Sequence, residues 1–149
     1  MSMDRMMSGM SISASGLAGE RMRMEVAANN IANANSTQTS QGGPYQRQQV
    51  TFAAAMGQYL NLNTGQMNEK SLDGVRVVSV VSDNSEGPRI YDPGHPHADG
   101  EGYVTYPNVN MSHEMVDMMT ASRAYEANLK SMETFRQIAE QSIAILRDL

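Results

Sequence analysis

The chain has 149 residues, enough for one ordinary domain or for a small domain carried on long helices, and too few for a large enzyme core. Sixteen Asp and Glu against eleven Lys and Arg give a net charge of −5, with the two signs interspersed, which argues against nucleic acid and anionic membranes as partners. With no Cys there are no disulfides, thiolate chemistry or cysteine zinc sites, and no run reaches the roughly 18 apolar residues of a membrane span.

The N-terminal stretch carries a seven-residue apolar repeat at Met3, Met10, Leu17, Met24 and Ile31, with Met7, Ala14 and Ala28 four residues after three of them. This spacing predicts a helix over about 3–33 within an N-terminal segment of 1–35, weakened by Gly9, Gly16 and Gly19 at about 1 kcal/mol each relative to Ala. Met6 to Gly19 is not read as a cleavable signal, because it is weakly apolar and the helical pattern runs through the small residues at Ser13–Ser15. Arg21 interrupts the second apolar row, and the expectation is that it snorkels to the seam's edge.

Four Asn, at 29, 30, 33 and 35, end this pattern. Asn competes for backbone hydrogen bonds and tolerates turn conformations, so the helix should stop near Asn33 or Asn35. One Asn suffices for a cap. Asn29, Asn30 and Asn33 are therefore read either as a simple C-cap or as packed amides that lock the turn against a neighbouring chain.

Residues 36–108 read as a small β region. Tyr45 to Phe52, Val75 to Val81, Arg89 to Tyr91 and Tyr103 to Tyr106 are expected strands, on their β-branched and aromatic content. The stretch 53–73 is poor in apolar residues and is read as a long loop or a locally ordered excursion. Between the third and fourth strands, Asp92 to Gly102 is dense in turn formers. His95 and His97 with Asp92, Asp99 and Glu101 make a conceivable metal-ligand set, but the Pro and Gly explain themselves as turn residues.

Residues 109–149 predict the longest helix. Steps of four and three from Met111 reach Met115, Met118, Ser122, Tyr125, Leu129, Met132, Arg136, Ala139, Ile143 and Leu146, with no Gly or Pro inside. This is the 3.5-residue stripe of a coiled-coil seam, and it needs a partner. Glu114 and Asp117 suit the positive end of the helix dipole, and Glu126 with Lys130 makes a favourable i,i+4 pair. Fourteen Met favour contact surfaces that adapt to neighbours that are not quite equivalent. The fold class is α+β: two long terminal helices in a coiled-coil-like pair around a small inserted β region.

Neither a Gly-x-Ser-x-Gly elbow nor a phosphate-binding Gly loop occurs, and the chain is read as a non-enzyme without cofactor, catalytic residue or metal site. Two rivals to a self-associating structural protein are a coiled-coil adaptor, soluble or secreted, and a small metal enzyme centred on His95 and His97.

Three blocks carry a resemblance: Val26 to Asn33 with Gly42 to Gln48; Tyr91 to Tyr106; and Tyr106 to Asn110 with Glu114 to Val116 and Ala121 to Asn128. In these the chain resembles the rod and hook axial proteins of the bacterial flagellum, and among them the FlgC proximal-rod family. Asn35-Ser36-Thr37 departs from that pattern, and 53–73 matches it poorly. The resemblance implies a rod subunit of the basal body, exported by the flagellar type III apparatus without a cleaved signal and assembled in the periplasm. Implied partners are further copies and the rod proteins FlgB, FlgF, FlgG and FliE. The terminal helices are expected to form the assembly contacts, through Met10, Leu17, Met24, Asn29, Asn30, Ile31, Asn33, Met111, Met115, Met118, Tyr125, Leu129, Met132, Ile143 and Leu146.

Overall fold

The computed structural model describes residues 3–40, 42–60 and 67–147, with side chains over 7–40, 42–55 and 73–145. In chain order the elements are α1 (Met3–Ala32), β1 (Gln48–Leu60), β2 (Met67–Ser82), β3 (Arg89–Tyr91), β4 (Tyr103–Thr105) and α2 (Met111–Arg147). Two long helices thus enclose in sequence a β region of two two-stranded sheets, β1 with β2 and β3 with β4, which is the expected α+β class.

Helix α1 ends where the Asn cluster begins to bond its own turn. Asn33 donates its backbone N–H to Asn29 O at 3.1 Å and its amide to Asn29 O and Oδ1 at 2.9 and 2.8 Å, while Ser36 Oγ donates to Asn33 Oδ1 at 3.1 Å. These bonds take up carbonyls that a continuing helix would have used. Strand β1 starts at Gln48 rather than Tyr45 because the preceding backbone is bonded elsewhere: Tyr45 N–H to Ser36 O at 2.9 Å and Arg47 N–H to Asn108 Oδ1 at 2.8 Å. Of the stretch 53–73, residues 53–60 and 67–73 are strand, so the ordered excursion holds there and the long loop does not; 61–66 lie outside the described residues. Low apolar content hides these strands, because the pairing of β1 with β2 supplies what local composition does not.

The chain divides into two compact units. The first comprises Met1–Arg21, Phe52–Val78 and Ser122–Leu149. Here α1 and α2 run antiparallel at close range: a Cβ added to Gly9 would lie 2.7 Å from Phe135 Cζ, and one on Gly16 2.9 Å from Asn128 Nδ2. A step of seven along α1 is answered by a step of seven back along α2, so both glycines are notches for a side chain of the facing helix. Ser15 Oγ donates to Ile12 O at 2.7 Å and accepts from Val75 N–H at 3.1 Å, holding β2 against α1.

The second unit comprises Met22–Thr51 and Ser79–Ala121. Its buried apolar residues are Val26 and Ala27 on α1, Val104 on β4 and Ala121 on α2. Strands β3 and β4 pair antiparallel with Arg89 opposite Thr105, Ile90 opposite Val104 and Tyr91 opposite Tyr103. The loop between them is built on Asp99, whose Oδ1 accepts from Glu101 and Tyr103 N–H at 2.9 Å each and whose Oδ2 accepts from Arg89 at 2.6 Å. The Tyr103 N–H, with Glu101 N–H and the Arg89 guanidinium beside it, holds the Asp99 carboxyl below the usual carboxylate range. Asp83 is lowered in the same way, chiefly by the Ser85 N–H.

Candidate functional site

Within the second unit, α1, α2 and the segment before β1 meet at a polar node. Asn30 is 1 % exposed and uses its whole amide: Nδ2 donates to Gln48 O and Glu114 Oε2, and Oδ1 accepts from Gln48 N–H and Tyr45 Oη, all at 2.9 Å. Glu114, 2 % exposed, also accepts from Arg47 Nε at 2.5 Å. Asp117 on the next turn takes Arg23 at 3.1 Å and Arg47 at 3.7 Å. Burial, and then the Glu114 charge, raise the Tyr45 hydroxyl above its ordinary value. Two carboxylates are thus matched by two guanidinium groups.

His113, Glu114 and Asp117 bring one ligand atom each within 4.8 Å of one another, a spacing compatible with a metal ion. Arg47 and Arg23 already contact those carboxylates, so a cation there would face two positive groups and displace existing bonds. The His95 and His97 set is absorbed into its loop. His95 Nδ1 accepts from His97 N–H at 3.1 Å, Asp92 Oδ1 from Gly94 N–H at 3.2 Å, and His97 Nδ1 lies 2.9 Å from Thr37 Oγ1.

Outside the node, both helices turn large apolar side chains to solvent. They are Met7 and Ile12 on α1, and Met111, Met115, Val116, Met119, Leu129, Ile138, Ile143 and Ile145 on α2. Helix α2 therefore carries two rows instead of one. The inward row is Glu114, Met118, Ala121, Tyr125, Asn128, Met132, Phe135 and Ala139, all buried or half-buried and spaced by four and three. The sequence stripe shares Met118, Tyr125, Met132 and Ala139 with it, but its alternate members Met111, Met115, Leu129, Arg136 and Ile143 are exposed. In place of those alternate members the helix turns Glu114, Ala121, Asn128 and Phe135 inward, where Asn30 meets Glu114, Gly16 meets Asn128 and Gly9 meets Phe135.

Of the remaining interface candidates, Met10, Leu17, Met24 and Ile31 are half-buried, as is Asn33; Asn29 is exposed; the Leu146 side chain lies outside the described residues. Asn30 is satisfied within the chain itself, so the reading of this amide as a lock against a neighbour is corrected. Arg21 is exposed, and Arg136 is an exposed residue paired with Glu140 at 3.2 Å. Lys130 pairs with Glu133 at 3.1 Å, in place of the expected Glu126. Sequence reasoning assigned Glu114 and Asp117 to the helix dipole and missed that they face Arg47 and Arg23. The available signal was Glu114 standing seven before Ala121 and fourteen before Asn128, a polar and small heptad hidden beside the apolar one.

Comparisons with known proteins agree with this architecture at both ends of the chain. Residues 10–38 match the family described as flagella basal body rod protein, and residues 101–145 match the C-terminal family of the flagellar basal body rod FlgEFG proteins. The flagellar basal-body rod protein FlgC of Borreliella burgdorferi is 39% identical, over 94% of this chain and 97% of its own length. Those of Salmonella typhimurium, 38% identical over 90% and 92%, and Bacillus subtilis, 33% over 91% and 95%, are similar along nearly the same extent. None of these matches supports the adaptor reading. The chain therefore belongs to the FlgC family of flagellar basal-body rod proteins, structural subunits of the rod.

Proposed function

We propose that this chain is a subunit of the proximal part of the rod and polymerises through the outward rows of α1 and α2. The observation that carries this reading is the number of large apolar side chains that the helices leave in water, from Met7 to Ile145. Each fully buried side chain of this kind contributes about 1.5–3 kcal/mol, so covering such rows with neighbouring helices is a sufficient driving force. The neighbours are further copies of this chain and the other rod proteins, FlgB, FlgF, FlgG and FliE, and the chain reaches them in the periplasm through the flagellar type III export apparatus. Met10, Leu17, Met24, Ile31, Met118, Tyr125 and Met132, half-buried in the single chain, complete the contact surface at its edges. Among the described residues no helix is long and apolar enough to cross a membrane, which fits a subunit that joins the rod by helix contacts.

The test is complementation of a motility-defective strain lacking this subunit. The double substitution Leu129→Asp, Ile143→Asp places charges on exposed positions, so the fold is retained while the outward row is spoiled. Loss of motility with normal export and far-UV circular dichroism is expected. Full motility would remove the outward row from the assembly contact.

A further inference from the structure

The inward row of α2 repeats every seven residues through Glu114, Ala121, Asn128 and Phe135, and its polar members are Glu114 and Asn128. Asn30 and Arg47 satisfy Glu114 within the chain. Asn128 has no such partner. It lies half-buried over Gly16 of α1, where a Cβ would come within 2.9 Å of Nδ2 and 3.2 Å of Oδ1, yet among the described residues its amide forms no hydrogen bond. Gly16 has no side chain to cover it, so the amide atoms stay open to solvent at the surface of the helix pair.

Packing of the two helices does not call for this amide. Leu branches at Cγ as Asn does, and an apolar group of the same shape in a helix seam is often neutral or stabilising. Once a neighbouring helix covers the seam, an amide without a partner loses its water and costs stability, so it is favourable only when the neighbour bonds it. The exposed apolar residues around it show what such a bond adds. Ile138 and Ile145 stand seven residues apart, and Leu129 and Ile143 fourteen, so a covering helix displaced by whole heptads meets nearly the same surface. Apolar contact is non-directional and supplies affinity without choosing among these settings. An Asn in a helix seam does choose, because every wrong setting leaves its amide unpaired. We infer that Asn128 sets the register of the subunit contact, its amide bonding to a helix of a second copy laid over this seam. The inference rests on the assembly reading above and adds to it which of the equivalent settings the copies take.

The chain has no Cys, so a thiol-reactive photo-cross-linker can be placed on Ile143→Cys alone. Mixed isotope-labelled and unlabelled copies of the full chain are illuminated at a concentration where they associate, and peptide mass spectrometry maps where the linker inserts in the other copy. With Asn128 present, insertion should fall in a single segment. In Asn128→Leu, with helical circular dichroism retained, it should spread to further segments displaced by multiples of the heptad. One unchanged segment in the folded, cross-linked Leu variant would overturn the inference and leave the assembly reading standing. Loss of all cross-links in that variant would make Asn128 a source of affinity and would also overturn the register role. No cross-link between copies that carry Asn128 would sink the assembly reading itself, and the inference with it. Asn128→Ala guards against overpacking by Leu and should scatter the insertions in the same way. If neither variant folds, the amide is needed within the chain and the inference fails.

Discussion

Asn30 leaves no donor or acceptor of its amide unused, and its partners come from three parts of the second unit. Truncation to Ala would leave Gln48 N–H and C=O and the Tyr45 hydroxyl without that partner; at 1–3 kcal/mol per buried orphan, the loss should be about 3 kcal/mol in urea unfolding. Arg47→Ala should cost about 3–5 kcal/mol, because it strands the Glu114 carboxylate in the interior. Exposed carboxylates behave differently. The folded-state values of Asp83 and Asp99 are depressed, so their contribution is present above the ordinary carboxylate range near pH 4 and is lost as pH falls through the depressed values. Amide exchange at Tyr103 and Ser85 should accelerate, beyond the intrinsic pH effect, when the solution is acidified below about pH 4; unaltered protection at pH 2 would contradict the role given to these two Asp.

At the scale of elements, the helices pair through recesses more than through bulk. Gly16→Leu should drive a branched side chain into Asn128 and cost about 1–3 kcal/mol by overpacking, with faster hydrogen exchange confined to the first unit. Helix α2 was legible from Met111 onward because Gly and Pro are missing and apolar residues recur, and α1 was legible despite its glycines. The facing side of α2 was not, because heptad counting rewards Met and Leu and is blind to Ala121, Asn128 and Glu114, whose inward place depends on partners far away in sequence. The strands β3 and β4 were found to within a residue, from Arg89-Ile90-Tyr91 and Tyr103-Val104-Thr105. Strand β1 was cut short at Phe52 because Ala53-Ala54-Ala55 has no β propensity; pairing with β2 supplies what local sequence does not.

For the whole molecule, both units carry apolar helix surface that the chain does not cover: Met111, Met115 and Met119 in one, Leu129, Ile138 and Ile145 in the other. Sedimentation should therefore show association that rises with concentration and is suppressed by Leu129→Asp with Ile143→Asp. Salt should affect it little, since the exposed charges nearby are paired along the helix itself, as in Lys130 with Glu133 and Arg136 with Glu140. The most direct measurement uses the absence of Cys. A single Met119→Cys or Ile143→Cys substitution, carrying a thiol-reactive photo-cross-linker whose second group inserts into any neighbouring C–H bond on illumination of intact basal bodies, labels one exposed position alone. Cross-linked species joining this chain to neighbouring subunits should form from both positions, and not from Ala121→Cys, which is fully buried within the chain. Cross-links from Ala121→Cys alone, or from none of the three in motile cells, would contradict assembly through the outward helix rows.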